Sequence, residues 1–143
     1  MKSKVGVMQG RLLPKYQGRY RAHPVGYWKD EFKLAQEAQL DCIEFILDFN
    51  DVRNNPLLKE NGIQEIKSIS DTTGVLVKTI CADYFMEAPL HSKDSLVSQE
   101  SQQVMIRLLE NAKQLGVTDI VIPCVDQSTL DNQEAVKRFV NRL

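Results

Sequence analysis

Residues 76–92, LVKTICADYFMEAPLHS, change character at Ala82, and the rest of the chain repeats that change. Leu76, Val77, Thr79, Ile80 and Cys81 make a short apolar, β-branched run between the turn signal of Gly74 and the polar cluster beginning at Asp83, which predicts a buried strand. After Ala82 come an acid, two aromatics, a methionine, a second acid, a proline and a histidine. That is a costly set of side chains for a mere connection. A strand that ends in such a loop and leads into a helix is how parallel α/β enzymes place their reactive groups.

Upstream, Lys4 to Gln9 (KVGVMQ) reads as a first strand, with Gly6 marking a bulge or a close backbone approach. Trp28 to Gln39 reads as a helix whose apolar stripe draws on Trp28, Phe32, Leu34, Ala35 and Ala38, set among Lys29, Asp30, Glu31, Lys33, Gln36 and Glu37. Cys42 to Leu47 is the second strand. Asp48 to Glu60 is a connection rich in Asp, Asn and Pro, after which Asn61 is placed to cap a helix burying Ile63, Ile66 and Ile69 and stopping at Gly74. Downstream, a helix from about Val97 to Leu115 stripes Met105, Leu108, Ala112 and Leu115 and stops at Gly116. Asp119 to Val125 is the fourth strand, in which Pro123 argues for an edge or a strand end. A last helix starts after Thr129 or Asp131, with Val136, Phe139, Val140 and Leu143 on one face.

Strand starts near Lys4, Cys42, Val77 and Asp119 recur about every 35–42 residues, which makes four successive βα units with parallel strands and right-handed crossovers. Two architectures accommodate them: an open doubly wound sheet, or an arc of a (β/α)8 barrel. Neither a G-x-G-x-x-G nor a Walker sequence occurs to favour the first.

The 143 residues suit one domain, 1–143, and fall short of the roughly 250 of a complete eight-unit barrel. A composition 43% hydrophobic and 26% charged, with net charge -1, is that of a globular protein and gives no overall electrostatic reason to bind nucleic acid or an anionic membrane. No apolar run approaches a membrane span and no signal-peptide core follows Met1, so a cytoplasmic location is expected. Cys42, Cys81 and Cys124 are widely spaced and odd in number. They predict neither a disulfide framework nor a structural zinc site, and read as small buried hydrophobes.

Two features stand out against this background. The loop from Gly10 to Tyr27 holds Arg11, Lys15, Arg19 and Arg21 with Tyr16, Tyr20, His23 and Tyr27, and no acid. Loops this long in compact domains tend to be functional, and cations mixed with aromatics suit a phosphate, a carboxylate or a sugar face; a solvated basic loop is the competing account. Glu44 interrupts the apolar second strand, where an ionised carboxylate needs a polar site or a cation beside it.

Taken together, VGVMQGRL (5–12), the helix before CIEF (42–45), ICADYFMEAPL (80–90), HSKDS (91–95) and NAKQLGVTDIVIPCVD (111–126) resemble the N-terminal half of the sugar-phosphate isomerase/epimerase superfamily of xylose-isomerase-like TIM barrels. Within it the pattern is most similar to the L-ribulose-5-phosphate 3-epimerase and hexulose-6-phosphate isomerase group. One departure is that Tyr84 and Phe85 stand where relatives often have a histidine after the third strand.

The resemblance implies the first half of a TIM barrel and a sugar or sugar phosphate as small-molecule ligand. It also implies a divalent metal, Mn, Mg or Zn, that polarises the substrate while two glutamates move a proton through an enediolate. The family takes its metal ligands from strands five to eight, so no metal site is expected within this chain. Barrel sites lie at the carboxyl ends of the strands. The substrate-binding candidates are therefore Gln9 and Arg11 after strand one, Glu44 and Asp48 in and after strand two, Asp83 and Tyr84 after strand three, and Asp126 after strand four. Arg11 is the candidate for a phosphate, Glu44 and Asp126 for sugar hydroxyls. On this view the chain alone is inactive and a longer protein carries the activity. The alternatives are a non-catalytic half-barrel that binds ligand or forms a homodimer, and an apurinic-site endonuclease-like barrel.

Overall fold

In the computed structural model, which describes residues 3–143, strands β1 (Gly6–Met8), β2 (Cys42–Ile46), β3 (Leu76–Cys81) and β4 (Asp119–Val121) form one sheet. Their spatial order is their order in the chain, and every neighbouring pair is parallel. Met8 pairs with Glu44, Ile46 with Cys81 and Cys81 with Val121, so the carboxyl ends of the strands lie side by side.

Helices α1 (Asp30–Glu37), α2 (Glu60–Thr73), a single turn α3 (Tyr84–Glu87), α4 (Ser95–Leu115) and α5 (Gln133–Arg142) complete the succession. One apolar cluster joins Phe32 and Ala35 of α1, Ile66 of α2 and Met105, Leu108 and Ala112 of α4 to Ile43 and Phe45 of β2 and Val77 and Ile80 of β3. The helices thus cover one face of the sheet. Glu44, Thr79 and Val121 lie on the other face and stay partly or largely accessible. A doubly wound sheet reorders its strands and places helices on both faces. Sequential parallel strands with helices on a single face are compatible with the first half of a (β/α)8 barrel instead.

Several element boundaries differ from the sequence expectation, each for a local reason. β1 has three residues rather than six, although Asp41 N–H to Val5 O (2.7 Å) and Gln9 N–H to Glu44 O (2.9 Å) continue its pairing with β2. Gly6 allows the close approach expected of it, since a Cβ there would meet Cys42. Helix α1 is shorter than the expected 28–39, with Gln39 at φ +58 just beyond its end. Its faces also differ: Leu34 is exposed, and Glu31 is buried beside Phe32 and Ala35.

Asn61 does not cap α2, which starts one residue earlier at Glu60. Asn55 in this connection is buried instead; its Oδ1 accepts from Leu57 N–H (3.0 Å) and its Nδ2 donates to Ile46 O (3.0 Å). β4 ends at Val121 because Pro123 has no N–H to extend a ladder. In α5, Ala135 is buried and Phe139 packs on the core, while Val136, Val140 and Leu143 face outward. Gly74 (φ +74) and Gly116 (φ +69) end α2 and α4 in the left-handed conformation, as expected. Among the described residues no helix is long and apolar enough to cross a membrane.

Candidate functional site

The 10–27 loop is ordered by a two-residue hairpin. Gln17 (φ +49) and Gly18 (φ +78) turn the chain with positive φ at both central positions, and Tyr16 and Arg19 exchange two backbone bonds of 2.9 and 3.0 Å. The returning arm carries Arg19 and Arg21 across the carboxyl ends of β1–β3. There they meet the acids that follow β2 and β3: Arg19 Nη2 lies 3.5 Å from Asp48 Oδ2, and Arg21 Nη2 lies 2.8 Å from Asp83 Oδ1. Arg21 is held further by Met8 Sδ (3.0 Å from Nε) and Cys81 Sγ (3.0 Å from Nη2).

These four charged side chains line a cavity of about 450 Å³, closed by Phe49 and Asn50 after β2 and by Met86 and Glu87 of α3. Its acidic wall is anchored from behind. Asp48 Oδ2 accepts the backbone N–H of His23 (2.8 Å), and the buried His23 ring lies against Phe45 (5.4 Å between centroids) and Trp28 (6.3 Å). His23 Nδ1 faces Gln9 Oε1 at 3.2 Å, so the proton of the neutral ring belongs on Nδ1. The same Oε1 accepts Ile46 N–H (3.0 Å) and ties the histidine to β2.

The electrostatics follow from burial. His23 is pushed down to about 4 because desolvation penalises its charged form. Asp48 is pushed up by burial, against the pull of the His23 N–H and of Arg19. Burial and then Asp83 push the Cys81 thiol up to about 12, which leaves it a poor nucleophile at neutral pH. The cavity therefore presents two guanidiniums and three carboxylates, Asp48, Asp83 and, at its edge, Glu87, which accepts from Gln127 Nε2 (2.8 Å); such a lining suits a small ligand carrying both an anionic group and hydroxyls.

Of the sequence candidates, Asp48 and Asp83 line the cavity. Gln9 is fully buried behind it. Glu44 lies on the accessible sheet face, where Thr79 Oγ1 donates to it (3.0 Å). Tyr84 is buried and stacks on Phe49, with centroids 5.6 Å apart. Arg11 is exposed and outside the lining, and Asp126 (φ +51), also exposed and outside it, starts the turn 126–128, whose Ser128 is buried. The lining arginines are instead Arg19 and Arg21, which the sequence offered only as members of a basic loop. Met86 and Glu87 belong to the costly set of side chains after Ala82, while Phe49 and Asn50 carried no signal beyond their place after a strand.

Asp48 and Asp83 are each engaged by a guanidinium. Among the described residues no three His, Cys, Asp or Glu side chains gather where they could hold a metal ion. The residues present therefore do not fit a divalent metal.

Fold and site define a parallel α/β protein with a polar small-ligand cavity at the carboxyl ends of its strands. No family model matches the chain. It is similar to the L-ribulose-5-phosphate 3-epimerases of Escherichia coli and Shigella sonnei, 27% identical over 123 residues, which are 83% of this chain and 43% of each relative. The resemblance carried by the sequence motifs thus points to the same proteins as the curated relatives. The chain spans less than half the length of these relatives.

Proposed function

We propose that this chain supplies the first four βα units, as one domain, of a cytoplasmic sugar-phosphate 3-epimerase, and that its cavity holds the phosphorylated ketose. Two arginines facing two acids around one cavity at the strand ends carry the proposal. Arg19 and Arg21 neutralise the phosphate, with Arg21 already fixed and Arg19 freer to swing. Asp48 and Asp83 accept sugar hydroxyls, and the exposed Phe49 ring offers an apolar face to the carbon chain. Epimerisation at C3 requires removal and return of the proton next to the ketone carbonyl. Any divalent cation that assists falls to residues beyond these four units, as does the base that moves the proton. Of the sequence candidates, Glu44 faces the barrel interior on this view. Arg11, Tyr84 and Asp126 have no direct contact with the ligand.

The test is calorimetric titration of the chain with L-ribulose 5-phosphate, L-ribulose and inorganic phosphate. The phosphorylated sugar binds tightest, and Arg21→Ala weakens it by roughly 10–100-fold, the worth of a charge-assisted hydrogen bond. Equal binding of L-ribulose and its phosphate would remove the phosphate role. In the longest reading frame containing the chain, the same variant lowers exchange of the C3 proton with solvent.

A further inference from the structure

The most unusual charge in the molecule lies outside the cavity. Glu31, on the first turn of α1, is fully buried, and among the described residues no Lys or Arg pairs with it. Its carboxylate takes backbone N–H groups instead: Gly10 at 2.7 Å on Oε2 and 2.9 Å on Oε1, and Leu12 at 3.1 Å on Oε1. A buried anion persists only where donors replace its water, and consecutive backbone N–H groups form a concavity that does so. Burial nonetheless outweighs these bonds and pushes the Glu31 carboxyl up.

What Glu31 grips is the root of the arginine arm. Gly10 sits at φ +89, and a Cβ there would run into the backbone carbonyls of Tyr20 and Ala22. The backbone on either side of Arg21 therefore rests on the residue that Glu31 holds. From that arm Arg21 reaches Asp83, Arg19 reaches Asp48, and the His23 N–H reaches Asp48.

We infer that Glu31 is the positioning residue of the cavity: by seating the Gly10 and Leu12 amides it fixes the ledge on which Tyr20–Ala22 lies, and so aims both arginines. It touches no ligand itself. The inference rests on the cavity being the anion-binding site, but its structural half stands apart from any ligand.

Two readouts on Glu31→Gln separate them. The first is the Arg21 Nε–H resonance, expected to be sharp and slow to exchange in the native protein because Met8 and Asp83 hold the guanidinium. The second is the affinity for L-ribulose 5-phosphate. A neutral glutamine removes a desolvated charge, so the melting temperature stays close to native while the Arg21 signal broadens and affinity falls about tenfold. An unchanged Arg21 signal in a folded Glu31→Gln protein would overturn the inference. If the native protein binds no sugar phosphate but the Arg21 signal still depends on residue 31, the cavity's assigned ligand is wrong and the positioning role stands. Should the variant not fold, amide exchange in the native protein decides. Gly10 and Leu12 must then be protected relative to Gly18 at the hairpin tip, and equal exchange would refute the clamp.

Discussion

At the scale of single residues, the site is a case of burial overruling intrinsic chemistry. Cys81 sits beside an arginine, which ordinarily activates a thiol, yet desolvation and Asp83 raise it to about 12 and leave it inert. Alkylation of the native protein near pH 8 should accordingly spare Cys81 relative to the more accessible Cys124; rapid loss of the Cys81 thiol would show that the site is open. His23 makes a prediction for acid stability. Its folded value of about 4 lies below its ordinary 6.5, so the unfolded chain binds more protons between these limits. The stability tied to neutral His23 is complete above about pH 6.5 and is lost as pH falls towards 4, by up to about 3 kcal/mol. Denaturant unfolding at pH 7 and pH 4.5 measures it, and His23→Gln should flatten the difference.

The elements divide into those set by local sequence and those set by their neighbours. The β-branched runs of β2 and β3, the glycines that end α2 and α4, and the break at Pro123 are local signals, and the structure follows them. Glu31 could not be recognised that way. On a helical wheel it lies beside Ala35, one turn on, but an acid at that position reads as the solvated edge of the stripe, and the docking of α1 against residues 10–12 supplies the donors that bury it. Arg11 is the phosphate candidate by its place after the first strand, whereas Arg21 stands only as a member of the basic loop. The Gln17–Gly18 hairpin carries Arg19 and Arg21 to the cavity; its turn is local, but where the returning arm docks is a tertiary outcome. The connection after β2 yields a prediction at this scale. Buried Asn55 ties Ile46 O to Leu57 N–H, and Asn111 Nδ2 donates to Leu57 O (2.8 Å). Asn55→Ala leaves those backbone groups unpaired and should cost about 1–3 kcal/mol in a thermal melt, while an Asn111→Ala variant should couple to it non-additively.

At the scale of the whole molecule, the sheet has helices on one face, and the other presents Glu44, Thr79 and Val121. β1 and β4 each have one unpaired edge, the kind of surface that proteins cover or pair. With relatives more than twice as long, we place further strands of a longer protein against that face, with a second copy of this chain as the competing occupant. Light scattering separates them, since only the second makes the 143-residue chain a dimer. The central claim is that Arg19 and Arg21 over Asp48 and Asp83 hold a ketose phosphate. Its most direct test is an NMR titration of 15N-labelled protein with L-ribulose 5-phosphate, following the arginine Nε–H signals. Saturable shifts are expected at Arg19 and Arg21, with Arg11 unmoved. Shifts confined to Arg11 and the residues around Asp126, or none at Arg19 and Arg21, would contradict it.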